Sequence, residues 1–315
     1  MPPTKQVLTF SSHVVHGYVG NKAMTFPLQL RGWDVDAINT TNFSNHPGYG
    51  QFKGPKVEPE VITEIHTGLE NIDCEYDIIL TGYVASAQTL QAVVQICSVR
   101  LKRNPECIWI LDPVLGDNGR LYVSEDIIPH YKDLFKTNLV TLVTPNQFEM
   151  EVLTGVKINC LDSLKESIQK FHQIYDVKNI VVSSVCIKGI DNLICAGSTK
   201  GNSASWCYFE IPQLDAIFSG SGDLFLAILA DSFSKHRSMG SDLEQGLDCL
   251  LLALSETISV VEDVLQLSYD IEIAKTKMDQ KFRDKLYIPD LKIVQSRDTF
   301  LKPNLRKYKA TLLPF

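Results

Sequence analysis

The sequence predicts an α/β fold with a mostly parallel central sheet and helices on both faces. Three observations predict it. Short apolar runs alternate with amphipathic helical stretches; a polar or glycine-containing cluster follows each apolar run directly; and a glycine turn at Gly220-Ser221-Gly222 opens a strongly apolar helix. The 315 residues suffice for one such unit, read as a single domain over 1–315 whose last part, 275–315, is charged and irregular. No internal repeat, low-complexity tract or interdomain linker interrupts it.

Val7-Leu8-Thr9-Phe10 is the first buried strand and ends in Ser11-Ser12-His13. A helix over 22–30 follows, with Pro27 inside it, and a second strand over 35–39. Residues 40–59 form a long segment of turn formers with four rings, Phe43, His46, Tyr49 and Phe52. A loop of that length is expected to be a lid or a binding loop. A helix over 58–72 leads to the strand 78–80, which ends at Thr81-Gly82-Tyr83. Leu90, Val93, Val94, Cys97 and Leu101 recur at helical spacing. The strand 107–111 ends at Asp112-Pro113, and the strand 139–143 at Thr144-Pro145-Asn146. Leu161, Leu164, Ile168 and Phe171 mark a further helix, and the strand 180–182 ends at Ser183-Ser184. Then the pattern changes: 193–196 and 206–211 are expected to form a hairpin around Lys200-Gly201-Asn202. Leu243, Leu247, Leu250, Leu254, Ile258 and Val261 form one stripe of a long helix, expected in the core or a subunit interface. In open parallel sheets ligands bind beyond the carboxyl ends of the strands, where these polar clusters gather.

The turn Phe218-Ser219-Gly220-Ser221-Gly222-Asp223-Leu224-Phe225 is the pivotal stretch. Its glycines let the backbone approach a ligand, and the free N–H groups of the following helix can hold phosphate without a lysine. Absence of a Lys after the glycines excludes a Walker A loop, and Phe225 stands where a dinucleotide loop needs its third glycine. An ionised Asp223 beside phosphate would repel it, unless it takes the proton from a hydroxyl that attacks that phosphate. Read alone, the stretch is equally a glycine turn with an Asp near a helix start. Three further acids follow strands: Asp112, Asp117 and Glu149. Asn146 and Glu149 have capping-box spacing; Asp112 and Glu149 could also hold the waters of a Mg²⁺ ion near ATP phosphates.

Net charge −7 gives no basis for a nucleic-acid partner, and the longest apolar runs are far too short to span a bilayer. The eight cysteines include no pair at metal or redox spacing and are expected to be small buried hydrophobes in a reducing compartment. The start of the chain lacks a signal-peptide core, so the cytosol is the expected location, with nuclear entry left open. Lys302, Arg306, Lys307 and Lys309 are expected in a solvated basic tail.

Six segments in this order resemble those of the pyridoxal kinases, within the ribokinase-like superfamily. They are Ser12-His13 through Gly17-Tyr18-Val19-Gly20-Asn21, Phe43-Ser44-Asn45-His46, Leu80-Thr81-Gly82-Tyr83, Asp112-Pro113-Val114-Leu115-Gly116-Asp117, Thr144-Pro145-Asn146-Gln147-Phe148-Glu149, and Gly220-Ser221-Gly222-Asp223-Leu224-Phe225. The resemblance implies a ribokinase-like three-layer sandwich and ATP-dependent phosphorylation of the 5′-hydroxymethyl group of pyridoxal, pyridoxine or pyridoxamine. Independently, the N–H groups of Gly220 to Gly222 can stabilise charge developing on a transferred phosphoryl; the resemblance itself implies that Asp223 is the general base. It places the vitamer near Ser12, Val19, His46, Tyr83, Tyr122 and Asp223, and ATP near Asp112, Thr144, Asn146, Glu149, Ser183, Ser184, Ser221 and Gly222. Asp112, Asp117 and Glu149 are the implied metal site. A Mg²⁺ or similar divalent ion, a monovalent cation and a homodimer are also implied. Ser221 stands where Thr is usual, Pro47 where some relatives have Thr, and His16 where some have Arg; the 116–121 loop is shorter than in animal members. The alternatives are a ribokinase-like kinase for hydroxymethylpyrimidine and a non-catalytic vitamer-binding protein.

Overall fold

The computed structural model describes residues 4–201, 205–239, 246–275, 286–305 and 307–314. The first strand, β1 (Lys5–Val14), lies parallel to β2 (Trp33–Phe43) on one side and to β3 (Ile78–Thr81) on the other. Next along the sheet come β4 (Ile108–Leu111), then, past a two-stranded hairpin of β5 (Gly116–Asp117) and β6 (Arg120–Leu121), β7 (Leu142–Val143) and β8 (Asn179–Val185), all parallel. From there β9 (Leu193–Thr199) and β10 (Ser205–Ile211) pair antiparallel, as expected for the hairpin, although Asn202 of its turn lies outside the described residues. A separate parallel pair joins β11 (Ala216–Phe218) to β12 (Leu286–Ile288), and β13 (Thr311–Pro314) closes the sheet against β10. The sheet order is β13-β10-β9-β8-β7-β4-β3-β1-β2.

Helices cover both faces, as the alternation predicted. One face packs against α2 (Pro59–Glu70), α3 (Ala87–Arg103), α4 (Ile127–Leu134), α5 (Gln147–Thr154) and α6 (Leu161–Ile174), around Leu8, Phe10, Trp109, Phe135 and Phe171. The other packs against α1 (Asn21–Leu30), α7 (Ser221–Met239), α8 (Gly246–Lys275) and α9 (Arg297–Leu301), around Trp33, Ile110, Phe209, Leu226 and Phe300. Helix α3 shows how the local sequence sets an element. Ser86 caps it by accepting the Thr89 N–H at 3.2 Å, Leu90, Val93 and Cys97 are its buried stripe, and Arg100, Lys102 and Arg103 sit at the negative end of its dipole. On α8, Leu250, Leu254, Ile258 and Val261 are buried in the second core, so that part of the stripe is core; Leu243 lies outside the described residues.

Four expectations need correction. The 275–315 stretch is not irregular throughout, because β12, α9 and β13 dock on the rest of the fold. The glycine turn follows the short β11, not the hairpin strand β10. The irregular stretch is shorter than 40–59, because β2 runs on to Phe43; Asn42 N–H donates to Pro55 C=O at 2.9 Å, Ser44 N–H to Lys53 C=O at 2.7 Å, and the rings of Phe43 and Phe52 pack tilted at 4.7 Å. The cysteines divide: Cys97, Cys107, Cys195 and Cys207 are buried, Cys74 and Cys249 half-buried, and Cys160 and Cys186 exposed, all as free thiols. No helix among the described residues is long and apolar enough to cross a membrane.

Candidate active site

The polar clusters meet at one edge because β3, β4 and β7 end in register, at Thr81, Leu111 and Val143, between the longer strands β1 and β8. Beyond the strand ends the ladder runs on through single backbone bonds. Gly82 N–H donates to Phe10 C=O at 2.9 Å, Asp112 N–H to Thr81 C=O at 2.8 Å, Thr144 N–H to Leu111 C=O at 3.0 Å and Ser183 N–H to Pro145 C=O at 3.0 Å. Helix α7 begins over this row. A Cβ on Gly222 would sit 3.6 Å from Asp112 Oδ2, and a Cβ on Gly82 would sit 3.5 Å from Asp223 Oδ1. Gly220 has φ +83°, and a Cβ there would lie 2.1 Å from the Tyr18 carbonyl oxygen, so the turn demands glycine twice over. Gly222 has no such constraint; its lack of a side chain leaves the helix N-terminus open beside Asp112. Leu224 N–H is the first to bond back, to Gly220 C=O at 3.0 Å, which leaves the N–H groups of Ser221, Gly222 and Asp223 without helical partners.

The acids differ in environment. Asp223 is half-buried; desolvation pushes it up to about 6, partly offset by a hydrogen bond from the Gly20 N–H. Asp112 is held well above the usual carboxylate range by burial first, then by the charges of Glu149 and Asp223. Glu149 is buried and raised to about 7 by desolvation, against three backbone donors. Those donors are Leu115 N–H at 2.7 Å and Gly116 N–H at 3.3 Å on Oε1, and Asn146 N–H at 2.9 Å on Oε2. Asn146 Oδ1 accepts the Glu149 N–H at 2.9 Å, completing the capping box, and Asn146 Nδ2 donates to Gly116 C=O at 2.7 Å. Glu149 and Asn146 thus pin the Leu115–Gly116 backbone beside Asp112. Asp117 is exposed and accepts from the Asn118 N–H at 2.7 Å. Among the described residues no group of three or more His, Cys, Asp or Glu side chains could hold a metal directly. Glu149 is engaged in the cap of α5 and in the Leu115 and Gly116 N–H bonds. Thr144 is buried, and its Oγ1 has no hydrogen-bond partner. Ser183 is half-buried and Ser184 exposed near the end of β8; Ser221 is half-buried at the first position of α7.

The ring-side candidates come from other segments. Ser12 sits where β1 shifts register against β2, and a Cβ on Gly20 would come within 2.4 Å of its Oγ. Val19 packs with Val14 and Phe43 in a small cluster. Tyr83 N–H donates to Ser11 Oγ at 3.2 Å, and burial raises the Tyr83 phenol. His46 is half-buried; its Nδ1 accepts the Gly48 N–H at 3.0 Å, and burial holds the ring below its ordinary pKa, against the charge of Asp290. Tyr122 is exposed, with its phenol raised to about 12 by burial and by Asp117, Glu149 and Tyr287.

A family model for phosphomethylpyrimidine kinase matches residues 37–267. The pyridoxal kinase of Homo sapiens is 34% identical to this chain over 321 residues, 98% of each chain. BUD17 of Saccharomyces cerevisiae is 43% identical over 320 residues, 98% of this chain and 97% of its own. The chain belongs to the pyridoxal kinase family. A solved structure, pyridoxal kinase from Leishmania donovani in complex with ADP and pyridoxamine, superposes with a TM-score of 0.83 at 30% identity, covering 98% of this chain and 100% of that one. The fold is accordingly ribokinase-like, and the chain is a phosphotransferase.

Residues that sequence reasoning missed hold the pyridoxal kinase site in shape. Asn21 is buried and accepts from Thr9 Oγ1 at 2.8 Å while its amide donates to Ile38 C=O at 3.0 Å and Asn39 Oδ1 at 2.8 Å, which fixes the β1 bulge behind Ser12. Asn21 closes a motif already singled out; its partners, up to 18 positions away, were not readable. Tyr49, Tyr287 and Asp290 were missed as well, and of these only Tyr49 stood in a segment the sequence flagged.

Proposed function

We propose that the chain transfers the γ-phosphoryl group of ATP to the 5′-hydroxymethyl group of pyridoxal, pyridoxine or pyridoxamine. The observation that carries this is Asp223: a carboxylate of pKa about 6, in the first turn of a 19-residue helix with free N–H groups, beside Gly82 at the end of β3. A carboxylate so placed suits proton removal near neutral pH better than phosphate binding. The alcohol oxygen forms the new bond to Pγ, the bond from Pγ to the β-bridging oxygen breaks, and the alcohol proton passes to Asp223. The N–H groups following Gly220 take the charge that develops on the transferred oxygens.

Ser12, Val19, His46, Tyr83 and Tyr122 would line the ring, since a flat pyridine suits aromatic and hydroxyl side chains. The orphaned Thr144 hydroxyl, with Asn146, Ser183, Ser184, Ser221 and Gly222, would contact ATP. A divalent cation such as Mg²⁺ would supply charge neutralisation between the phosphates. The donor set fits it through water, because Mg²⁺ keeps several waters and Asp112 and Glu149 lie within mutual electrostatic influence. Asp117 would act from further out. A monovalent cation, a homodimer and a cytosolic location complete the reading.

The test is direct. The purified chain, ATP and Mg²⁺ are incubated with pyridoxal, pyridoxine, pyridoxamine, hydroxymethylpyrimidine or ribose, and ADP and the phosphorylated product are measured. The three vitamers should give product; turnover only with hydroxymethylpyrimidine, or binding without ADP, would replace this reading.

A further inference from the structure

The turn that carries His46 is tied down by a segment more than 200 residues away. Tyr49 donates its hydroxyl to Asp290 Oδ2, and His16 Nε2 lies 3.5 Å from the same oxygen, with the His16 and Tyr49 rings edge to face at 6.0 Å. The other oxygen, Asp290 Oδ1, is buried without a hydrogen-bond partner and sits so close to Gly17 that a Cβ there would lie 2.2 Å from it. Three positions earlier, Tyr287 shares a hydrogen bond with Ser219 Oγ at 2.8 Å, immediately before Gly220. The Tyr287 hydroxyl also fills the space beside Gly48, where a Cβ would come within 2.0 Å of it. Ser219 N–H donates to Ile288 C=O at 3.1 Å, so backbone and side chain both join this segment to the glycine turn. One short stretch, 286–290, therefore touches the ring-side turn at Gly48 and Tyr49, the β1–α1 connection at His16 and Gly17, and the phosphoryl-side turn at Ser219.

The contacts have a consequence for rate and affinity. His46 and Asp223 come from distant parts of the chain, and the substrate must meet both. The 46–50 turn is mostly exposed on its outer face, and ordering it costs conformational entropy at each binding event unless something holds it beforehand. We infer that Tyr287 and Asp290 are positioning residues that hold the His46 turn in register with the Gly220 turn, so that the vitamer's alcohol arrives at Asp223. This rests on the vitamer reading given above. Removing the latch should weaken vitamer binding and leave ATP binding alone, because 286–290 holds none of the residues assigned to ATP and the Ser219 N–H bond to Ile288 C=O still holds the glycine turn.

The experiment uses the full chain with Tyr287→Phe, Asp290→Ala and Asp290→Asn. Phe removes only the hydroxyl of Tyr287 and keeps its ring; Asn keeps an acceptor for Tyr49. Expected are a rise of about 5–10-fold in the vitamer KM for Tyr287→Phe and Asp290→Ala, return to within about threefold in Asp290→Asn, and an unchanged ATP KM and Tm. Tyr49→Phe combined with Asp290→Ala should be no worse than Asp290→Ala alone, since the two share one bond. Amide hydrogen exchange of residues 46–50 should quicken in Asp290→Ala, with α7 unaffected. Exchange is read without turnover, so it tests the latch even on a chain inactive towards vitamers. Unchanged exchange overturns the latch. Faster exchange with an unchanged vitamer KM, or a parallel rise in ATP KM, overturns the positioning role.

Discussion

Replacing Asp223 by Asn changes one oxygen for nitrogen and keeps the shape that packs near Gly82 and Gly20. What it removes is the ability to accept a proton. Burial raises the Asp223 carboxyl from 3.8 to about 6, so at pH 7.5 it is ionised and more basic than an exposed carboxylate. Loss of a positioned general base costs about 10²–10⁴ in turnover, which is roughly 2.7–5.5 kcal/mol of barrier at 1.36 kcal/mol per decade. The sign of the pH dependence follows. Below about 6 the carboxyl is protonated and cannot serve, so vitamer kcat/KM of the unmodified chain should fall about tenfold per unit as pH drops below 6. Asp223→Asn should show the low rate with that limb removed, and ATP should bind with unchanged affinity by calorimetry. A variant whose kcat stays within a factor of three of the unmodified chain, or which keeps the acid limb, would remove Asp223 from the base role.

Glu149→Ala strands the N–H groups of Leu115, Gly116 and Asn146; at about 1 kcal/mol or more each, thermal unfolding should show a loss of roughly 3 kcal/mol, and a Tm within 1 °C of the unmodified chain would contradict it. Thr144→Val removes a buried hydroxyl that has no partner in the ligand-free chain, so Tm should hold or rise while the ATP KM increases about fivefold; an unchanged KM would free Thr144 of any nucleotide contact. Far from the site, Arg31 binds Asp231 at 2.5 Å and also Glu256, and Trp33 Nε1 donates to Asp231 Oδ1 at 2.8 Å. Arg31→Met leaves Asp231 buried with one neutral donor, so denaturant unfolding should show a loss of about 3–5 kcal/mol with turnover per folded molecule intact.

What the sequence disclosed is what local physics encodes. Strand ends at Thr81, Leu111 and Val143 are each followed by a polar cluster, and parallel pairing brings those clusters level; Ser11-Ser12-His13, read as the end of the first strand, instead lie within β1, which runs on to Val14. The Asn146–Glu149 spacing announced a capping box, and the structure contains one. What spacing could not disclose is that the same carboxylate also takes the Leu115 and Gly116 N–H groups, 34 and 33 positions away. Strands β11, β12 and β13 are three or four residues long, too short to show a period, and their partners are remote. Asp290 read as one acid in a charged tail because Tyr49, its partner, is 241 positions distant.

The acid row supplies its own argument for the ligands it awaits. Asp112 rises because burial and its neighbours Glu149 and Asp223 all oppose its charge, and Glu149 rises despite three N–H donors. A fold built only for stability would have no reason to gather carboxylates that raise one another, since each ionised acid costs stability above its unfolded pKa when its folded pKa is the higher. That stability is present below about 4 to 4.5 and is lost as pH climbs to about 7 for Glu149. The arrangement is therefore favoured by positive charge beyond what the backbone N–H groups on Glu149 and Asp112 supply. The free N–H groups at the start of α7 can take phosphate in turn. A row of acids facing a helix N-terminus is thus matched to a paired ligand, cation with polyphosphate, in which each half satisfies the surface that would repel the other. Thermal shift distinguishes this from a site for bare anion: ATP with Mg²⁺ should stabilise the chain more than ATP with a chelator, and equal shifts would contradict the pairing.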